Sequence, residues 1–171
     1  MSISVVIRTK NEEQWIERCL DAVLNQDCAD FSVVIVDSGS EDRTLELVDR
    51  YDVAVSHYTG EYFPGKALDQ GTALEKGELV AYLSAHCIPV NDKWLERLKS
   101  NFDNPVVAGV YGGQEPLPDS SNLDKRDLWT VFGKERKVQT KEFFFHNANS
   151  MIRRDLWEKY KFPEELPSIE D

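Results

Sequence analysis

Residues 79–98 read LVAYLSAHCIPVNDKWLERL. Leu79 to Leu83 is a short apolar run that predicts a buried strand. Asp92-Lys93-Trp94-Leu95-Glu96-Arg97-Leu98 then starts a helix. Between them stand Ser84, Ala85 and His86, at the strand's carboxyl end, the rim where open α/β sheets bind their ligands. A histidine there is a candidate contact for a ligand or metal. A histidine satisfied by nearby backbone is the plainer alternative.

Upstream, the same strand-then-helix rhythm recurs. "ISVVIRT" is β-branched, apolar and short, and Asn11 with Gln14 three residues on suggests a capping box for the next helix. Trp15, Ile16, Cys19, Leu20, Val23 and Leu24 repeat at helical spacing. "FSVVIVD" is a second strand with "SGSED" as its turn, and Ser40 is the expected cap of a helix through Leu45, Val48 and Tyr51. "VAVSH" is a weaker third strand. "GKALDQGTALEKG" predicts a helix closed by Gly77 at the C-cap, and "ELVAYL" is the fourth strand. Strands alternating with helices of this length imply βαβ units and a mostly parallel, doubly wound sheet. From Asn104 the rhythm changes: "VVAGVYGG" is another strand, Leu123 to Phe132 a helix, and "KEFFFHNANSMIRRDLWEKY" a strand, a turn and a helix. One domain over 1–171 is expected, with a ligand-binding half (1–103) and a second half (104–171) that shapes the substrate.

Bulk properties limit the function classes. The chain has 171 residues, 41% hydrophobic and 30% charged, which suits a single globular domain with a real core. No apolar run is long enough to span a bilayer. "MSISVVIRTKNEE" lacks a signal peptide's features, so cytoplasmic residence is expected. Cys19, Cys28 and Cys87 form no C-x-x-C pair, which argues against a disulfide framework or zinc ribbon. A net charge of −11 argues against nucleic acid as a partner.

Three features fall at strand ends: Arg8-Thr9, Asp37, and Ser84-Ala85-His86. In a doubly wound sheet those ends share one crevice. Asp37 could accept hydrogen bonds from a ribose or base edge, or simply cap its own turn. "GEYFPGKA" (60–67) satisfies G-x-x-x-x-G-K, yet Ala67 replaces the Ser/Thr a phosphate loop needs, and Tyr62, Phe63 and Pro64 crowd the loop. The phosphate-loop reading is rejected, leaving Lys66 as a single loop cation near the crevice.

"SVVIRTKNEEQWIERCLDAVLNQ", "VVIVDSGSEDRTLELV" and "GKALDQGTALEKGELVAYLSAHCIP...WLERL", with "FHNANSMIRRDLWEKYKFPEELPSIED" at the end, together resemble the inverting family-two glycosyltransferases of the GT-A fold. The resemblance covers most of the chain. It implies a nucleoside diphosphate sugar donor bound on the sheet and sugar transfer to an acceptor hydroxyl, in cell-surface polysaccharide or glycoconjugate synthesis. By position it implies Thr9 and Glu12 near the nucleotide base, Asp37 at base or ribose, and Lys66 and Ser84 toward the donor. Asp171, after Glu170, takes the place of the catalytic base. The family's Asp-x-Asp metal motif stands here as Ser84-Ala85-His86, with His86 at the position that ligates directly. This stretch is also similar to the Asp-x-His region of polypeptide N-acetylgalactosaminyltransferases, although those retain anomeric configuration. Imidazole suits manganese better than magnesium, so manganese is the expected ion and magnesium the alternative. His146 is a candidate second ligand or a structural hydrogen-bond partner. Relatives continue past Asp171, so a truncated chain lacking part of the acceptor site is expected. The acceptor would be a saccharide or a lipid-linked molecule, compatible with peripheral membrane association. Two alternatives stay open: a nucleotide-sugar-binding protein without catalysis, and a nucleotidyltransferase.

Overall fold

The computed structural model describes residues 1–117, 120–132, 135–141 and 144–164, so Glu170 and Asp171 lie outside the described residues. The first half alternates as β1 (Ile3–Thr9), α1 (Ile16–Leu24), β2 (Phe31–Asp37), α2 (Thr44–Val48), β3 (Ala54–His57), α3 (Pro64–Leu74), β4 (Leu79–Ser84) and α4 (Trp94–Lys99). A 3-10 turn over Ser100–Asp103 leads to β5 (Gly109–Tyr111), α5 (Asn122–Phe132), β6 (Asn149–Arg153) and α6 (Arg154–Lys159). The strands form a six-stranded sheet in the order β3-β2-β1-β4-β6-β5. β1, β2, β3 and β4 run parallel, while β6 is antiparallel to both β4 and β5. The expected α/β, mostly parallel sheet is what the chain forms. β6, from the second half, pairs with β4 from the first, so one sheet crosses the 1–103/104–171 division.

The period-two alternation of each strand builds a core on both faces. Ile3, Val5 and Ile7 of β1 join Val33, Ile35, Leu79, Ala81 and Leu83 on one side. There they meet Ile16, Cys19, Leu20 and Val23 of α1 and Trp94, Leu95 and Leu98 of α4. Val6, Val34, Val36, Val80 and Tyr82 face the other way, against Ala67 and Leu68 of α3. Fully burying each Ile, Leu or Val contributes about 1.5–3 kcal/mol. That burial holds α1, a nine-residue helix too short to persist alone.

Three local expectations are corrected. Asn11 does not cap α1: it adopts a left-handed φ of 55°, and the helix begins five residues later at Ile16. Ser40 does not cap α2; the Thr44 N–H donates instead to Asp42 Oδ1 at 2.9 Å. Gly77 is not a C-cap, because α3 ends at Leu74. Its N–H donates to Ser4 Oγ at 2.8 Å, and a Cβ there would lie 2.5 Å from the Ser4 nitrogen. Close approach to β1, rather than helix termination, demands glycine.

Candidate functional site

Because β1, β2 and β4 are parallel, their carboxyl ends emerge on one edge of the sheet. Thr9 is in register with Asp37, and Arg8 with Ser84. The chain leaves β1 toward β2 on one side and returns through β4 on the other, which makes the β1/β4 boundary the topological switch point. Backbone bonds carry both pairings one residue further, from Ser38 N to Thr9 O at 3.0 Å and from Ala85 N to Arg8 O at 3.1 Å. The backbone pairing therefore extends to where the candidate residues sit.

Asp37 is 1% exposed. Its carboxylate accepts from Gly39 N at 3.0 Å, from Ser40 N at 3.1 Å and from Ser40 Oγ at 2.5 Å, with His57 Nδ1 3.9 Å away. Turn capping, one of its two expected roles, is directly visible. Thr9 is also buried, and its hydroxyl has no hydrogen-bond partner among the described residues. A buried polar atom left unpaired is costly, which keeps Thr9 a candidate contact for a ligand.

The loops that follow β1 and β2 are latched together by Asn11 and Ser40, which the sequence suggests only as helix caps, and by Asp42 and Thr44, which it does not single out. Asn11 N donates to Ser40 Oγ at 2.9 Å, and Glu41 N returns a bond to Asn11 Oδ1 at 2.8 Å. Glu12 N donates to Thr44 Oγ1 at 2.7 Å, and Glu13 N to Asp42 Oδ2 at 3.1 Å. The signal was two polar clusters, N-E-E starting two residues after β1 and S-E-D-R-T starting three residues after the parallel β2.

This latch aims Glu12. His86 Nδ1 lies 2.8 Å from Glu12 Oε1, with the imidazole 57% exposed and the carboxylate 18% exposed. Glu12, expected near the nucleotide base, is thus at the His86 side of the edge. A carboxylate can only accept, so neutral His86 carries its proton on Nδ1 and keeps a lone pair on Nε2. That is the tautomer and the orienting partner that metal-binding histidines use. Among the described residues no group of three His, Cys, Asp or Glu side chains is placed to hold a metal ion. The residues fit an ion that takes one protein nitrogen and completes its shell from substrate phosphates and water.

His146 has the opposite polarity. Ala148 N donates to His146 Nδ1 at 3.2 Å, and Gln114 Nε2 lies 3.2 Å from the same atom. A backbone N–H cannot accept, so the neutral ring carries its proton on Nε2 and has no nitrogen lone pair left for a metal. The second-ligand reading of His146 is not what this geometry favours. Ser84 is 8% exposed, and its N–H is tied to Ala148 O at 3.1 Å. Burial pushes the thiol of Cys87, beside His86, up to about 11, which disfavours its thiolate at neutral pH.

Lys66 occupies the first turn of α3 rather than a loop. Its Nζ lies 3.8 Å from Glu164 Oε2 and 5.0 Å from the centre of the Phe63 ring, so no direct contact ties it to the Glu12–His86 pair. A shallow cavity of about 620 Å³ runs along α1 and α2, lined by Glu13, Gln14, Glu17, Arg43, Leu47 and Arg50. Its walls are ion pairs such as Arg50–Glu17 at 2.8 Å, a solvated charged groove rather than the strand-end crevice. No helix among the described residues is long and apolar enough to cross a membrane.

Set beside known proteins, residues 4–161 match the sequence model of "Glycosyl transferase family 2". The glycosyltransferase AglE of Haloferax volcanii is 28% identical, over 97% of this chain and 57% of its own length. The O-antigen chain rhamnosyltransferase RfbN of Salmonella typhimurium is 24% identical, over 100% of this chain and 59% of its own length. The chain thus spans somewhat more than half the length of these relatives. Among solved structures, Staphylococcus aureus TarS 1-349 in complex with UDP-GlcNAc superposes with a TM-score of 0.70 at 26% identity, covering 100% of this chain and 51% of that one. The Pyrobaculum calidifontis mannosyltransferase PcManGT, in complex with GDP-Man and Mn2+, gives a TM-score of 0.73 at 24% identity, covering 96% and 48%.

Proposed function

The chain belongs to glycosyl transferase family 2, and from that premise we propose that it binds a nucleoside diphosphate sugar along the carboxyl edge of β2, β1 and β4. It then transfers the sugar to a saccharide or lipid-linked acceptor hydroxyl with inversion, in the synthesis of a cell-surface polysaccharide or glycoconjugate. The observation that carries this reading is the convergence of Thr9, the Asp37-capped turn and the Glu12–His86 pair on one edge. The base and ribose lie over the Thr9 and Asp37 end, where the unpaired Thr9 hydroxyl supplies a hydrogen bond. The diphosphate lies over Ser84 and His86. Lys66, in the adjoining α3 turn, exchanges its exposed Glu164 partner for a donor phosphate oxygen.

His86 holds a divalent cation, manganese by preference, through Nε2, while Glu12 fixes the ring from Nδ1. Such an ion supplies charge neutralisation to the leaving diphosphate. Asp171, outside the described residues, accepts the acceptor hydroxyl's proton, a step that contributes about 10²–10⁴-fold in rate. The cytoplasm is the proposed compartment, in keeping with three unpaired cysteines.

Incubation with nucleotide sugars and acceptor extracts tests this directly. Release of nucleoside diphosphate with a transferred sugar is expected, and Asp171→Asn should abolish it while sparing donor affinity. Release of pyrophosphate would identify a nucleotidyltransferase instead, and binding without any release would leave a non-catalytic binding protein.

A further inference from the structure

The row of strand-end residues continues one strand beyond Asp37. Thr9 is in register with Asp37, and Asp37 with His57, the last residue of β3. The three stand side by side at the carboxyl ends of parallel strands, and their side chains leave the same face of the sheet. Two strand spacings, roughly 10 Å, separate β1 from β3. With the diphosphate over β4 and the ribose over Thr9 and Asp37, the far edge of the base points toward β3. Asp37 is poorly placed to read that edge. Its carboxylate is 1% exposed and already accepts from Gly39 N, Ser40 N and Ser40 Oγ. The next polar side chain along the row is His57.

The backbone of His57 is held while its ring is not. Tyr58 N donates to Asp37 O at 2.7 Å, and Gln70 Nε2 of α3 donates to His57 O at 3.1 Å and to Ser56 Oγ at 2.6 Å. The imidazole is 64% exposed, and its Nδ1 lies 3.9 Å from Asp37 Oδ2, beyond hydrogen-bond reach. That approach is the ring's one polar contact among the described residues. The carboxylate charge favours the neutral ring's proton on the Nδ1 side, which leaves the Nε2 lone pair facing outward. Uracil and guanine each carry a ring N–H on the edge away from the sugar. Adenine and cytosine present a ring acceptor there, which would set lone pair against lone pair. We infer that His57 is a specificity residue for the donor's base: its Nε2 accepts a hydrogen bond from the ring N–H of uracil or guanine. This rests on the proposed donor placement and extends it to a strand that Thr9, Asp37 and the Glu12–His86 pair do not occupy.

Two substitutions separate this role from stacking and from a structural role. His57→Phe keeps a planar ring but has no lone pair to offer. His57→Gln extends an amide oxygen toward the Nε2 position. Calorimetric titration of the parent and both variants, with manganese present, would use UDP, GDP, ADP and CDP. N3-methyl-UDP and N1-methyl-GDP, in which a methyl group replaces the ring N–H, complete the set. The parent should bind UDP or GDP about tenfold more tightly than ADP, CDP or the methylated form. His57→Phe should lose that tenfold and bind the methylated form no worse than the parent does. His57→Gln should recover part of the loss. Because the ring is exposed, neither variant should move the melting temperature of the ligand-free protein. Parental affinity in His57→Phe, no recovery in His57→Gln, or a lowered melting temperature in both would overturn the assignment. So would a parent indifferent to methylation of the base. In each of these cases, binding of UDP or GDP by the parent leaves the donor edge standing. A parent that binds none of these nucleotides would remove both.

Discussion

Two buried or half-buried side chains at the edge carry opposite costs in the empty protein. The Thr9 hydroxyl is shielded from water with no partner among the described residues, which disfavours the folded state by about 1–3 kcal/mol. Thr9→Val removes that hydroxyl at nearly constant shape. It should raise the denaturation midpoint of the ligand-free protein and weaken nucleoside diphosphate binding. A lower midpoint would mean that the hydroxyl already has a partner. Glu12 is different, because its carboxylate is satisfied by His86 and its backbone by Thr44. Glu12→Ala leaves the imidazole free to turn. Loss of such an orienting partner typically weakens metal binding about 10–100-fold. Manganese-dependent donor affinity should drop by that factor, with metal-free affinity unchanged. If both fall together, Glu12 touches the nucleotide itself, as its sequence position first suggested.

At the scale of elements, α3 shows how packing overrides propensity. A Cβ on Gly71 would lie 2.4 Å from Val6 Cγ1 and 2.7 Å from Val36 Cγ2, both on wholly buried strand residues. Alanine gains about 1 kcal/mol in helix propensity but overpacks a core that cannot yield, at about 1–3 kcal/mol. Gly71→Ala should therefore lower the urea midpoint, and a rise would show that α3 can shift off the sheet. The same helix grips α6 and the chain after it through Asp69, whose Oδ1 accepts from Trp157 Nε1 at 2.6 Å and Phe162 N at 3.4 Å. Burial raises the pKa of Asp69 against those bonds. A raised folded-state pKa stabilises the fold below the ordinary carboxylate value, and that stabilisation is lost as pH rises through the raised value. Asp69→Asn can keep the accepting oxygen without the titration. Its stability relative to the parent should climb with pH across that window and then level off. Urea midpoints that show a flat or falling difference would refute the shift.

The limits of the sequence lie at this scale too. Strands β1, β2 and β4 were legible because a short, nearly continuous apolar run ending in Thr9, Asp37 or Ser84 depends only on neighbours in sequence. The cap of α2 was not, because Asp42 and Ser40 are equally good acceptors until the β1 loop engages both, Ser40 through its one hydroxyl and Asp42 through Oδ2, which leaves Asp42 Oδ1 for Thr44. Nor could spacing reveal that Asn11 bonds to residues some thirty positions away, or that Gly77 serves β1 rather than α3. Propensity reports what a segment prefers alone, whereas the latch and the Glu12–His86 pair exist only once two loops meet. Histidine tautomers are later still, since each is decided by whether the neighbour at Nδ1 donates or accepts.

For the whole molecule, donor and cation should act as one ligand. The chain carries a net charge of −11, and a nucleoside diphosphate adds further negative charge at an edge where Glu12 and Asp37 already stand. Lys66 is a single cation, half given to Glu164, and cannot balance that alone. Manganese on His86 would offset the two carboxylates, so donor binding should depend strongly on it. A ligand that binds only the folded state at a hundred times its Kd stabilises by about 2.7 kcal/mol. For a domain of this size, each kcal/mol raises Tm by roughly 2–4 °C, which gives a shift of about 5–11 °C. That shift should appear with nucleotide sugar and manganese together, shrink to a small fraction with either alone, and vanish on chelation. His86→Ala should show only the small shift whether or not manganese is present. A full shift from the nucleotide sugar in chelator, matched by His86→Ala, would mean that the diphosphate is neutralised by protein cations and that the Ser84-Ala85-His86 edge binds no metal.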